Sequence, residues 1–194
     1  MAVSETVDGA LIDRISRGDA DALAALYDRH AARVLGLTTR ILADADEAED
    51  VLQEVFLQVW RAPRQFDAAR GSLVTWLLIL ARSRAIDRLR SLRRRGRDRH
   101  VDINALPLAS DEDLERGAEA AQEGAAVRRV LSQLPAEQRR ALELAYFEGY
   151  TQSEIAEMTG TPLGTVKTRL RQGMIKLRDQ FRAYSSREDP FAAL

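Results

Sequence analysis

The segment YTQSEIAEMTGTPLGTVKTRL, in the C-terminal third of the chain, constrains the fold more than any other part. Thr151 and Glu154 have the T-x-x-E spacing of a capping box, in which each side chain satisfies a backbone N–H of the other residue. Gly160 supplies the left-handed conformation that ends a helix, and Thr161-Pro162 has the sequence of an N-cap followed by proline at the first helical position. The segment therefore predicts two short helices that meet at one tight turn.

The second of these helices has an apolar side and a polar side. Residues at steps of three and four share a face, and here they are Leu163, Val166, Leu170, Met174 and Leu177. The other face and its shoulders carry side chains that can reach base edges and phosphates: Thr165, Lys167, Thr168, Arg169, Arg171 and Gln172. This pattern is typical of a helix-turn-helix that reads duplex DNA, and the alternative is a helical hairpin with a solvated charged face.

Length and composition define the class of protein. The 194 residues allow one or two small domains, and 45% apolar residues can build their cores. The chain has no cysteine, which excludes disulfides and thiolate metal sites and suits a reducing compartment. It shows no membrane-spanning apolar run and no secretion signal. We therefore expect a cytoplasmic protein that is not inserted in a membrane.

Charges are sorted into blocks of alternating sign, although 29 basic and 30 acidic residues leave a net charge of −1. Residues 44–54 hold six acids and no base, whereas residues 82–100 hold nine arginines against two aspartates. Residues 109–124 hold six acids and one arginine, and residues 161–182 hold six bases and one aspartate. This sorting indicates that different blocks bind different partners.

Helical periodicity covers most of the chain, and no segment is a convincing strand. The predicted helices are 8–16, 19–42, 45–61, 72–92, 124–134 and 136–147, followed by the two motif helices. The fold class is therefore all-α, with two small helical domains joined by a flexible acidic linker and a helix-turn-helix in the C-terminal domain. We place the domains at 8–96 and 124–183, the linker at 97–123 and a tail at 184–194.

The predicted helix at 45–61 separates apolar from acidic residues. Its buried stripe is expected to comprise Val51, Leu52, Val55, Phe56, Val59 and Trp60, while Asp46, Asp50, Gln53, Glu54 and Leu57 project the other way. A leucine exposed among carboxylates and an amide has the composition of a protein-binding surface. A solvated face with one stray leucine fits the same residues. Because carboxylates repel phosphates, this face is not expected to touch DNA.

The predicted helix at 72–92 starts apolar and ends basic. Its arginines are Arg82, Arg84, Arg88 and Arg90, and the run 93–95 follows. These side chains can bind the nucleic-acid backbone with strong salt dependence, or form a solubilising surface. Phe66 and Trp76 can stack on unpaired bases, although burial of Trp76 in the domain is at least as good an interpretation.

Together these elements resemble the bacterial RNA polymerase sigma factors of the extracytoplasmic function (ECF) group in the sigma-70 family. The segments that carry the resemblance are ALYDRHAARVLGLTTRIL, DEAEDVLQEVFLQVWR, WLLILARSRAIDRLR and LPAEQRRALELAYFEGYTQSEIAEMTGTPLGTVKTRLRQGMIKLR. Their order is that of the family, and they span nearly the whole chain apart from the linker and the tail.

The resemblance implies an adaptor that gives core RNA polymerase its promoter specificity. It implies that Asp46, Asp50, Gln53, Glu54 and Leu57 bind the beta-prime coiled coil, and that the C-terminal domain binds the beta flap. It assigns recognition of the minus-ten element and its opened single strand to Phe66, Arg70, Ser83, Arg84, Asp87 and Arg88. It assigns the duplex minus-thirty-five element to Thr165, Lys167, Thr168, Arg169, Arg171 and Gln172. An anti-sigma protein that holds the factor inactive is also implied.

Two other classes of function compete with this interpretation. A helix-turn-helix repressor or activator acts without being a polymerase subunit, but it usually dimerises on paired half-sites, and no dimerisation helix follows the motif. An enzyme needs a site, yet His30 and His100 are isolated in the sequence and no glycine-rich phosphate loop follows a strand. We therefore expect no catalytic residue, no cofactor and no metal.

Overall fold

A computed structural model describes residues 2–96 and 129–185 of the chain, with side chains at 6–96 and 129–180. Every regular element in these two ranges is a helix, so the all-α prediction is confirmed. The predicted linker and His100 lie outside the described residues, as do most of the tail and the start of the helix predicted at 124–134. The chain divides into two compact units, one N-terminal and one C-terminal.

Within the described residues, the N-terminal unit contains four α-helices: α1 (Ala2–Ile15), α2 (Ala20–Leu42), α3 (Ala45–Arg61) and α4 (Leu73–Arg94). The central helix, α2, packs against the other three, and α3 also packs against α4. Their apolar stripes meet in a core that includes Leu26, Val34, Ile41, Val51, Val55, Val59 and Leu77, none more than 2% exposed. Each large side chain buried in this way contributes about 1.5–3 kcal/mol, which makes this core the main source of the unit's stability.

Side-chain caps fix where three of these helices begin. Asp19, Asp44 and Ser72 each accept hydrogen bonds from backbone N–H groups two or three residues later. These N–H groups have no partner inside the helix, and such a cap stabilises a helix by about 1 kcal/mol. The predicted starts at 19, 45 and 72 therefore agree with the observed starts to within one residue.

The C-terminal unit contains α5 (Ala136–Tyr146), α6 (Gln152–Thr159) and α7 (Leu163–Ser185), preceded by a helical turn at residues 129–132. Leu144, Ile155 and Val166, one from each helix, form the centre of its core. Ala156 also packs against this centre, as its small side chain predicts. The three helices thereby share one buried centre.

The predicted capping box is confirmed at the start of α6. Thr151 Oγ1 accepts a hydrogen bond from the N–H of Glu154 at 3.3 Å, and Glu154 Oε2 accepts one from the N–H of Thr151 at 2.6 Å. Gly160 ends the helix in the left-handed conformation, with φ of 60°. The turn therefore has the chemistry that the sequence predicts.

The start of α7 differs from the prediction by one residue. Pro162, not Thr161, is the residue whose carbonyl accepts the first helical hydrogen bond, from the N–H of Val166 at 3.1 Å. The Thr161 hydroxyl instead donates to the carbonyl of Thr159 at 3.3 Å. The assignment of Thr161 as the N-cap was therefore wrong.

The predicted apolar stripe on α7 was wrong at two of its five positions. Leu163 is 39% exposed and Met174 is 56% exposed. The buried residue on that turn is Gly173, where an added Cβ would lie only 2.7 Å from Cδ1 of Leu142 on α5. The helix therefore approaches α5 through a residue without a side chain, and a pattern of apolar residues cannot reveal such a contact.

Candidate protein and nucleic-acid interfaces

The outer face of α3 carries the residues predicted to bind a protein. Asp46, Asp50 and Gln53 are exposed, Glu54 is partly exposed, and Leu57 is 44% exposed. On the opposite face the predicted stripe is buried, except that Trp60 is only half-buried. The structure therefore brings the five predicted residues to one face, where an apolar side chain lies among acids.

Two of those acids contact arginines of α4 that were assigned to DNA. Arg88 Nη2 lies 2.8 Å from Glu54 Oε1, and Arg84 Nη1 lies 3.0 Å from Glu54 Oε2. Arg88 also donates to Glu47 and lies 3.6 Å from Asp50. The predicted polymerase face and the predicted minus-ten surface are therefore joined by one network of ion pairs between α3 and α4.

Glu47 belongs to this network, although it is not among the binding residues predicted from the sequence. Its side chain is 21% exposed, the lowest value among the three carboxylates that contact Arg88. Burial opposes the charge on Arg88, but hydrogen bonds and charge from Glu47 and Glu54 outweigh burial and raise the pKa of the guanidinium. The spacing of Glu47 and Arg88, 41 residues apart in the chain, gives no local signal that they meet.

An open groove of about 440 Å³ lies along this network. It is lined by Glu47, Glu54, Asp87, Arg84, Arg88, Arg95 and Ser91, which makes three acids, three bases and a serine. Because the two signs balance, the groove by itself gives little attraction for a phosphate backbone.

The remaining minus-ten candidates lie on α4 and in the connection before it. Ser83 and Asp87 are exposed one turn apart, and Arg70 is exposed at the end of the short 3₁₀ turn Ala68–Arg70. Ile79, one turn before Ser83, is 64% exposed and is not among the binding residues predicted from the sequence. These α4 residues form one line at steps of four, a spacing that could have identified Ile79.

The two aromatic residues near this line contact each other. The ring centroids of Phe66 and Trp76 are 5.9 Å apart, with the ring planes tilted by 56°. Both side chains are half-buried. Trp76 is therefore neither fully buried nor fully displayed, and each ring keeps an exposed part on which a base could stack.

Four of the six predicted minus-thirty-five residues are exposed on the outer face of α7: Thr165, Lys167, Thr168 and Arg171. The other two contact α5. Arg169 Nη2 lies 2.7 Å from Glu137 Oε2, and its Nη1 donates to Thr161 Oγ1 at 3.3 Å. Gln172 Oε1 accepts a hydrogen bond from Gln138 Nε2 at 3.1 Å. Arg169 and Gln172 therefore connect α7 to α5.

His30 is not isolated in the fold, which corrects the description drawn from the sequence. Its Nε2 lies 3.1 Å from Asp8 Oδ2, and both residues are buried between α1 and α2. Burial lowers the pKa of His30, and the nearby Asp8 opposes that shift only in part. Asp8 also accepts a hydrogen bond from Arg29 at 3.0 Å, so this cluster holds α1 against α2.

Neither a membrane-spanning helix nor a metal-binding cluster is present in the described parts of the chain. Within residues 2–96 and 129–185, no helix combines the length and the apolar character that crossing a bilayer demands. Over the same residues, there is no group of three or more histidine, aspartate or glutamate side chains placed to hold a metal ion.

Comparison with known proteins gives consistent matches over both units. A family model for Sigma-70 region 2 matches residues 26–95, and one for Sigma-70, region 4 matches residues 124–177. The ECF RNA polymerase sigma factor SigK of Mycobacterium ulcerans is 40% identical over 172 residues, which cover 88% of this chain and 91% of that protein. SigK of Mycobacterium tuberculosis is 37% identical over 171 residues, with the same coverage of 88% and 91%. Rhodobacter sphaeroides SigE, solved in complex with the anti-sigma ChrR, matches 90% of this chain and 98% of its own at 34% identity and a TM-score of 0.45.

Proposed function

Because the chain belongs to the ECF RNA polymerase sigma factors, we propose that it binds core polymerase through α3 and reads the minus-ten and minus-thirty-five promoter elements with its two units. Sigma factors direct promoter-specific initiation of transcription and are not enzymes. The observation that carries the proposal is a relative 40% identical over 172 residues, a span long enough to reach into both sigma regions.

The polymerase contact is assigned to Asp46, Asp50, Gln53, Glu54 and Leu57. Leu57 is 44% exposed and provides an apolar anchor among charged side chains. Asp50 is 63% exposed, so it can pair with a cation of the partner. A protein surface with a basic rim around an apolar pocket, as we propose for the beta-prime coiled coil, complements this face.

The minus-ten element is assigned to Phe66, Arg70, Ser83, Arg84, Asp87 and Arg88. The exposed parts of the Phe66 and Trp76 rings support stacking on bases of an opened strand. Exposed Arg70 adds positive charge in the connection that precedes α4.

The minus-thirty-five element is assigned to the outer face of α7, which enters the major groove of duplex DNA. Lys167 and Arg171 are exposed and supply charge for the backbone, and Thr165 and Thr168 are also exposed. The ion pair of Arg169 with Glu137 makes Arg169 a scaffold contact as well as a candidate DNA contact.

Two weak DNA contacts on separate units become strong when polymerase fixes their spacing, because the second contact then forms at a high effective concentration. We therefore expect the isolated chain to bind duplex promoter poorly and core polymerase to improve specific binding by orders of magnitude. An anti-sigma protein and the beta flap are proposed partners on the basis of family membership.

Run-off transcription and footprinting with core polymerase test this function. A sigma factor protects two unlike promoter elements only when polymerase is present, and it supports transcripts from a library of genomic promoters. A repressor or activator instead protects one symmetric operator by itself. Tight, specific binding by the chain alone, or failure with every template, would contradict the proposal.

A further inference from the structure

The contact between Glu54 and the two α4 arginines links the two proposed functions of the N-terminal unit. One carboxylate accepts from Arg84 at 3.0 Å and from Arg88 at 2.8 Å, one oxygen for each guanidinium. Arg84 also donates to Gln58, and Arg88 also donates to Glu47. Both guanidinium groups are therefore directed toward α3 by partners on that helix.

Arginines held in this way are poor ligands for phosphate. Three carboxylates contact Arg88, and its side chain is only 29% exposed. A phosphate that approaches these guanidinium groups meets the negative charge of Glu47 and Glu54 and competes with bonds that already exist. The contacts therefore weaken the attraction of DNA at the place where α4 is proposed to hold it.

We propose that the α3 carboxylates restrain Arg84 and Arg88 in the free protein, and that polymerase bound to α3 releases these arginines for promoter DNA. This inference rests on the proposed function, since it needs both assignments. Two of the three carboxylates lie on the face assigned to polymerase: Asp50 is 63% exposed and Glu54 is 41% exposed. Cations of the partner that pair with them compete with the two arginines for the same oxygens.

Replacing Glu54 by glutamine tests the restraint, since Glu54→Gln keeps the side-chain size and removes the charge shared by both arginines. The probe is a fluorescein-labelled single strand of 20 thymidines, because backbone attraction does not depend on sequence. We expect the isolated full-length variant to bind this probe at least about three-fold more tightly than the unaltered protein, because charge that opposes phosphate is removed. The slope of log K against log salt should steepen by about 0.7 for each arginine released.

Matched variants separate this restraint from a general effect of charge. Glu49→Gln removes one exposed carboxylate from the same helix, so it gives the effect of net charge alone. Glu54→Gln combined with Arg88→Gln should keep only part of the gain, because Arg84 alone is then released. Glu54→Gln combined with Arg84→Gln serves the same purpose should the first pair fold poorly by circular dichroism. Equal binding by the Glu54 and Glu49 variants, or a gain of undiminished size in both double variants, overturns the restraint.

The release step is tested with a saturating concentration of core polymerase. If polymerase frees the arginines, the gain in affinity that Glu54→Gln gives for the same probe should be smaller in the holoenzyme than in the isolated protein. A gain of unchanged size overturns the release. Arg88→Gln in run-off transcription distinguishes this inference from the proposed function. Lost promoter opening in Arg88→Gln, together with no gain from Glu54→Gln, leaves the DNA role standing and removes the restraint.

Discussion

Replacing Leu57 by alanine should weaken binding of the protein to core polymerase while leaving the fold intact. Complete burial of a leucine side chain stabilises an interface by about 1.5–3 kcal/mol. Since Leu57 is 44% exposed, the part left to bury corresponds to roughly 0.7–1.3 kcal/mol. The dissociation constant should therefore rise about three- to nine-fold.

Fluorescence anisotropy of labelled protein titrated with core polymerase measures this change. Ile79→Ala is the matched control, because Ile79 is a similarly large apolar residue, 64% exposed, on α4 and outside the acidic face. The control should keep the affinity of the unaltered protein when no DNA is present. An unchanged dissociation constant for the Leu57 variant, or an equal loss in the Ile79 control, would refute the assignment of this face.

Three further predictions concern the scaffold that positions these surfaces. Because burial lowers the pKa of His30 below its unfolded value of about 6.5, the unfolded state binds more protons as pH falls below that value. The free energy of unfolding should decrease from pH 7 to pH 5. Chemical denaturation at several pH values measures this decrease, which should be smaller in His30→Gln. Gly173→Ala should destabilise the C-terminal unit by about 1 kcal/mol, since overlap with a buried leucine outweighs the gain in helix propensity. Gly164→Ala is the matched control: an added Cβ there meets open space, so this variant should not destabilise the unit. Hydrogen exchange of the amides in α5 and α7 compares the two variants. Arg169→Ala should lower the melting temperature more than Arg171→Ala, because Arg169 forms an ion pair with α5 and Arg171 is exposed on the outer face. Arg171→Ala should instead mainly weaken binding to duplex DNA.

Elements that depend on neighbouring residues were predictable from the sequence. A cap is made by groups two or three residues apart, so Thr151 and Glu154 identified the start of α6 without knowledge of the fold. The orientation of α3 was equally accessible, because its acids and its apolar residues repeat with the helical period. The exchange of Thr161 for Pro162 at the start of α7 shows the usual one-residue uncertainty of helix boundaries. The start predicted for α1 was wrong by more, since this helix begins at Ala2 and not at residue 8.

Contacts between helices were not predictable in the same way. Glu54 meets Arg84 across 30 residues, and no sequence period specifies how far one helix is displaced along another. The same limit applies to Arg169, whose partner on α5 is 32 positions away in the numbering. Charges that the sequence indicates as separate binding surfaces can thus be partners of each other within one unit.

These pairings change what the alternating charge blocks mean for DNA binding. The arginine block of α4 contributes less attraction than its composition suggests, because Arg84 and Arg88 are engaged by the acidic block of α3. Exposed positive charge remains near the end of α4, at Arg94 and Arg95, and in the turn before α4, at Arg70. For a chain with a net charge of −1 and partly neutralised candidate DNA surfaces, we expect weak affinity for nucleic acid until a partner supplies position and competes for the acids. On this proposal, the ion pairs that weaken DNA binding by the free protein also make promoter recognition depend on polymerase.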